Sequence, residues 1–290
     1  MRASQHNPFA LRHPAVAFTY LVSAAAFAMA AAHPVYAALA LAGSAACACC
    51  TRGWRAVAPG VPVLVGVIAV VALANALFVA EGTTPLFYMG ERPVTLEALG
   101  YGLCSGTMLA AVFLWFSSYA ACMDSAATAS VLGRVAPTIA LMVSQVMRLV
   151  PQFAARGRTI LATERAASAA APRTARERAA GNLRAASVLM GWGLEDSLTR
   201  SDAMRARGWG CGVRRTSYRQ DHLGRADIAL LAIVVALVAV NIPLAAVACA
   251  QFSFYPTPPQ LLAWWGYVPY AALMLVAPAL YLGEVIRWRS

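Results

Sequence analysis

Residues 228–250 read IALLAIVVALVAVNIPLAAVACA, twenty-three positions without a charged side chain. A helix rises about 1.5 Å per residue, so about twenty apolar residues cross the roughly 30 Å hydrocarbon core of a bilayer. A helix that is apolar all round has no face to offer water, which makes this stretch a membrane span. Apolar runs recur at 15–32, 35–50, 61–80, 96–122 (with Glu97 near its start) and 261–283. Hydrophobic residues make up 60% of the 290 positions and charged residues 12%, about half the charged share of a soluble domain. The reading is an all-α, polytopic membrane protein with about six transmembrane helices.

Run 15–32 follows Arg2 and Arg12 and ends in the small residues AFAMAAAHP, so a secretory signal peptide is the rival reading; a retained first span is favoured, because the apolar core exceeds a signal-peptide core and another span follows at once. Residues 126–147 are apolar but interrupted by Arg134 and Pro137, which suits an interfacial helix. Asn75 and Asn241 are the main polar residues of the long spans, each a candidate for a helix–helix hydrogen bond.

The net charge of +11 is unevenly placed. Every basic residue is Arg, and fourteen of the 23 fall between 151 and 225, against six acids. Beside membrane spans, such a segment is expected on the cytoplasmic side. Three parts follow: 1–150 as an N-terminal membrane domain, 151–225 as cytoplasmic helices, and 226–290 as C-terminal membrane helices. Both termini and the 51–57 loop, with Arg52 and Arg55, are then cytoplasmic. The Gly- and Pro-containing 81–95 loop, EGTTPLFYMGERPVT, is external. Within the cytoplasmic part, helix formers dominate 152–168, AAAPRT around Pro172 breaks the helix, and a second helix runs over 175–207.

Enzymatic chemistry finds little support in the chain. There is no Ser/His/Asp set, and GWGCG at 208–212 lacks the Lys-Ser/Thr of a phosphate-binding loop. Glu195–Asp196 lie in a cytoplasmic helix, not in a span. Four histidines (His6, His13, His33, His222) form no metal-ligand spacing, and Cys47 and Cys50, though CxxC-spaced, have no second pair. The expectation is a non-catalytic protein with no metal and no cofactor.

The tip of the second cytoplasmic helix, SDAMRARGWG at 201–210, is the candidate site. Gly208 after a helical run suits a left-handed helix stop, and Arg205 and Arg207 suit the negative end of the helix dipole. A guanidinium on a rigid helix end is also shaped for bidentate capture of a carboxylate, and Trp209 adds an apolar anchor.

Four motifs in order carry a resemblance: EGTTPLF after the third long run, MRLVP at 147–151, GLEDSLTRSDAMRARGWG at 193–210, and RRTSYR at 214–219 before another span. From about residue 14 to 250 the chain resembles the transmembrane T component of energy-coupling factor transporters, the EcfT/CbiQ family. The resemblance implies a scaffold in the inner (plasma) membrane that joins two ABC ATPase subunits to a separate substrate-binding S component. ATP-driven movement of two coupling helices would drive uptake of a vitamin or a transition metal ion. Each coupling helix in that family ends in an Ala-Arg-Gly-type motif that docks on one ATPase. Ala206, Arg207 and Gly208 match the second motif, with Met204 and Trp209 as apolar support. At the first motif the chain departs from the family: Ala166, Ala167 and Ser168 stand where Ala-Arg-Gly or Ala-Arg-Ser is expected. Arg165, or Arg156 in a premature Ala-Arg-Gly at 155–157, is the candidate substitute. The resemblance further implies that the apolar helices at 126–150 and 185–200 meet the S component. The alternative is a non-catalytic membrane scaffold whose basic helices bind membrane lipid or another protein; nucleic acid is not expected as a partner.

Overall fold

The computed structural model describes residues 9, 12–79, 82–89, 92–124, 127–128, 130–131, 133, 136–167, 174–212, 222–252, 254 and 265–289. Ten α-helices and one two-stranded hairpin account for the described elements: α1 Pro14–Ala30, α2 Pro34–Arg52, α3 Trp54–Val57, α4 Val61–Phe78, β1 Pro85–Met89, β2 Arg92–Thr95, α5 Leu96–Cys122, α6 Pro137–Ala167, α7 Ala175–Ala206, α8 Arg225–Gln251, α9 Tyr267–Met274 and α10 Val276–Arg289, with a 3₁₀ turn at Ala58–Gly60. The chain is a helical, multi-pass membrane protein. Among the described residues, five helices are long and apolar enough to cross a membrane: Pro34–Arg52, Trp54–Phe78, Leu96–Cys122, Thr138–Ala167 and Arg225–Gln251. Helix α1 is a shorter apolar helix of 17 residues.

Several boundaries differ from the sequence expectation. The 81–95 loop is not all turn, because β1 and β2 pair antiparallel within it. The final apolar run is not one helix, since the chain breaks at Leu275 between α9 and α10. Helix α6 runs unbroken from Pro137 to Ala167 with Pro151 inside it. A proline removes one backbone donor, but packing of a long helix can offset that loss. The break around Pro172 lies outside the described residues. The chain divides into two compact units, 1–131 with 221–290, and 132–220.

In the first unit, helix starts are made by a residue type that sequence rules for caps overlook. His13 and His33 each precede a proline, and the ring Nδ1 of each accepts the backbone N–H two residues on, from Ala15 at 3.1 Å and from Val35 at 3.2 Å. The proline suits the first helical position, where its missing donor costs nothing. His33 is buried among the rings of Tyr36, Phe252 and Tyr267, with Phe252 4.5 Å away centroid to centroid. Burial pushes its pKa below the usual value. The unfolded chain therefore takes up a proton before the folded one does. This contribution to stability is complete above about pH 6.5 and shrinks as pH falls below it. Melting in detergent should give a midpoint that drops on acidification, and His33→Asn, which keeps a capping oxygen, should flatten that drop.

Trp115 on α5 is fully buried and meets Tyr20 of α1 edge to face at 5.8 Å. Tyr20 Oη donates to the Met274 carbonyl at 3.1 Å and accepts the Ala277 N–H at 3.4 Å, so it clasps both sides of the α9–α10 break. Arg12 and Asp227 form an ion pair at 3.4 Å that joins the starts of α1 and α8. Among the described residues, neither Asn75 nor Asn241 bridges helices through its amide nitrogen. Asn75 Nδ2 donates to Val71 O at 3.2 Å and Asn241 Nδ2 to Leu237 O at 2.8 Å, each one turn back in its own helix.

Two helices approach almost backbone to backbone. A Cβ on Gly102 would lie 2.8 Å from Ala72 Cα, and one on Gly106 2.9 Å from Ile68 Cα. These glycines are four apart on one face of α5, the small-residue spacing that lets spans pack closely. At the head of α5, Glu97 is buried, and its Oε1 accepts from Thr84 Oγ1 at 2.7 Å, Thr84 N–H at 3.3 Å and Thr83 Oγ1 at 3.3 Å. Gly82, at φ +134°, sits over this carboxylate, where a Cβ would come within 2.6 Å of Oε2. The Gly82–Thr84 segment is thus tied to α5.

Candidate functional site

The second unit is built on α6 and α7, which run antiparallel. Contacts on rising positions of α6 fall on descending positions of α7. Gln145 Nε2 donates to Met204 Sδ at 3.2 Å, Arg200 Nη2 donates to Gln152 Oε1 at 2.7 Å, and Glu164 pairs with Arg184 at 3.0 Å. Midway, Phe153 meets the Trp192 ring at 5.3 Å, close to edge-on, and the Arg156 guanidinium stacks 3.7 Å over the same ring. Gly193 makes room for Phe153, since a Cβ there would lie 2.7 Å from Phe153 Cζ. Helix α7 opens on a capping box: Thr174 Oγ1 accepts the Glu177 N–H at 3.2 Å, and the Glu177 carboxylate accepts the Thr174 N–H at 3.3 Å.

The expected tip residues cluster at the far end of α7. Ala206 is the last helical residue and Arg207 the cap. Gly208 N–H donates to Arg205 O at 2.9 Å, and Trp209 N–H donates to Met204 O at 3.0 Å. That pair of bonds, with Gly208 at φ +83°, is the Schellman arrangement, which only a left-handed residue closes well. It occupies carbonyls of the last turn and leaves the arginines to set the local charge. Ala206, Arg207 and Gly208 are exposed, Trp209 is 39% exposed, and Met204 is half-buried. Gly208→Ala should loosen this end by roughly 1–2 kcal/mol, the penalty of a left-handed Cβ. The expected readout is faster amide exchange at Arg207 to Trp209, with exchange at Trp192 unchanged.

The first motif is resolved in part. Arg165, Ala166 and Ala167 form the exposed last turn of α6, and Ser168 lies outside the described residues. Arg156, the other candidate, is engaged on Trp192 inside the hairpin and is not presented at a tip. Because the helices are antiparallel, Arg165 and Arg207 stand at opposite ends. Arg165 lies twenty positions beyond Gln145, the α6 residue level with Met204, which at 1.5 Å per residue separates the two ends by about 30 Å.

Apolar side chains remain exposed on both helices, including Met142, Val146 and Val150 of α6 and Met190, Leu194 and Leu198 of α7. Between the helices, a groove of about 430 Å³ runs from Leu141 to Phe153 on one wall and from Gly193 to Arg205 on the other, with Trp209 at its end. Sequence reasoning overlooked this groove; the signal was the pairing of small and polar residues (Gly193, Ser197, Ser201) along one strip of α7. Among the described residues, no three His, Cys, Asp or Glu side chains gather where they could share a metal ion. The chain matches no family model and no curated protein.

Proposed function

We propose that the chain is the transmembrane coupling subunit of an energy-coupling factor transporter, set in the inner membrane with both termini cytoplasmic. In this reading it is non-catalytic and links two cytoplasmic ABC ATPase subunits to a substrate-binding S component for uptake of a vitamin or a transition metal ion. The observation that carries the reading is the pair of exposed arginine ends, Arg165 and Arg207, at opposite ends of one antiparallel helix pair. A single basic tip would serve any solvated helix end. Two tips about 30 Å apart suit two separate partners gripped at once. Supporting it further, Arg207 is presented on a capped helix end and not on a loose segment, so little backbone ordering remains to be done on docking. The four sequence motifs supply the identity of the partners.

The test is co-purification from membranes with the ABC ATPases of the same organism, using the wild type, Arg207→Glu, and an Arg176→Glu/Arg178→Glu control that changes charge elsewhere on α7. Retention of ATPases by wild type and control, with loss in Arg207→Glu, supports the reading. Retention by all three, or by none, overturns it.

A further inference from the structure

We propose that the groove between α6 and α7 holds the headgroup of one anionic phospholipid, with its acyl chains along the apolar wall of α6. The groove is divided by chemistry. Leu141, Met142, Leu149 and Phe153 give the α6 side, Gln145 apart, an apolar lining; Ser197, Ser201 and Arg205 give the α7 side, Met204 apart, a mostly polar one. A purely apolar cleft would suit a helix face, and a purely basic one any anion. One wall of each kind matches a molecule with a charged head and two hydrocarbon tails.

Charge selects the anionic class. The unit containing the groove, 132–220, has fifteen arginines against five acids, so it holds +10 of the chain's +11. Inside the groove, Asp196 is neutralised by Arg200 at 2.5 Å, and Arg200 is further engaged by Gln152. Arg205 has no ion-pair partner among the described residues and is exposed at the groove's end. Its guanidinium can meet two phosphate oxygens at once. Ser201 stands one turn back on the same helix face, able to donate a hydroxyl to the same phosphate, while Ser197 already donates to Leu194 O and offers its lone pairs to a glycerol hydroxyl. Exposed Val146 and Val150 add apolar surface on α6 beyond the groove lining, and Trp209 at its end belongs to the residue type that favours the headgroup level. This inference does not depend on the coupling-subunit reading, and its test uses no ATPase.

The test takes the full chain, stripped of lipid in mild detergent, and titrates it with phosphatidylglycerol, phosphatidylcholine or inorganic phosphate while bound lipid is counted by native mass spectrometry. The expected result is one saturable phosphatidylglycerol per chain, at least tenfold preferred over phosphatidylcholine. Arg205→Gln, and separately Ser197→Ala/Ser201→Ala, should each weaken it about tenfold, while Arg176→Gln/Arg178→Gln should change it less than twofold. Equal loss in the distant arginine variant would reveal a diffuse charge effect and overturn the site. Equal binding of phosphatidylcholine would overturn the anionic head. Displacement by millimolar phosphate would make it a free-anion site, and failure of every lipid to bind would leave the groove to a protein segment. A coupling reading that fails in the ATPase experiment leaves these outcomes unaltered.

Discussion

Gly106→Leu should prevent the protein from accumulating as a folded species in membranes. At Gly106 the α5 backbone passes the α4 backbone so closely that even a methyl carbon would lie 2.9 Å from Ile68 Cα and 3.0 Å from its carbonyl oxygen. Neither neighbour is a side chain that can rotate away; both are main chain of a span. Overpacking a core costs typically 1–3 kcal/mol when side chains can adjust, and more is expected here because a helix must move. That sum is comparable with a large part of a domain's total stability. Gly106→Ala should give an intermediate effect, a lower melting temperature with some folded protein retained. Gly100→Leu supplies the control, because a Cβ at Gly100 meets nothing within 4 Å. Folding of both leucine variants alike, judged by size-exclusion profile and melting, would show that α4 and α5 do not pack backbone to backbone.

Charge reversal at the two helix ends should have unequal effects on ATPase capture. Removing an arginine that is buried and paired at an interface costs roughly 2–5 kcal/mol, or about 30-fold to several thousand-fold in affinity. Arg207→Glu adds repulsion to that loss, so it belongs at the upper end. Arg207 stands on a helix end fixed by the Gly208 turn and flanked by Trp209. Arg165 sits two residues before the last helical residue of α6, with Ala166 and Ala167 in place of a glycine stop. A guanidinium displaced half a turn from the tip enters a groove less deeply, so Arg165→Glu should weaken capture about tenfold or less. Measured separately by pull-down against the same ATPase preparation, equal losses would remove the asymmetry, and absence of any loss would remove docking at both ends.

How much of this was legible in the residues depends on the range of the interaction. Spans were legible because a charge-free run of about twenty residues has few alternatives to a bilayer, and 228–250 lies within α8 while 61–78 forms α4. The α7 end was legible because Gly after Arg is a local signal; helix and cap follow from neighbours in the chain. What the residues concealed was long-range or chemically unusual. Pro151 stood at the expected boundary between the membrane domain and the cytoplasmic helices and is a helix interior, since α7, some forty to fifty residues away, packs on the neighbouring Gln152 and Phe153. His13 and His33 are helix caps, a role their side chains fill through ring nitrogens in place of the usual oxygen. GLCSG at 102–106 carries its spacing openly, yet which helix it receives is decided only in three dimensions. Arg156 looked like a second tip and is a packing residue, because Trp192 lies opposite.

The staples along the α6–α7 pair have a mechanical corollary. Glu164–Arg184 near one end, Arg156 and Phe153 on Trp192 in the middle, and Arg200–Gln152 with Gln145–Met204 toward the other resist sliding of one helix past its neighbour. Two rods cross-linked at several stations bend far less than either alone. A load applied at Arg165 would therefore reach Arg207 as a tilt of the whole beam, with little lost to flexing between.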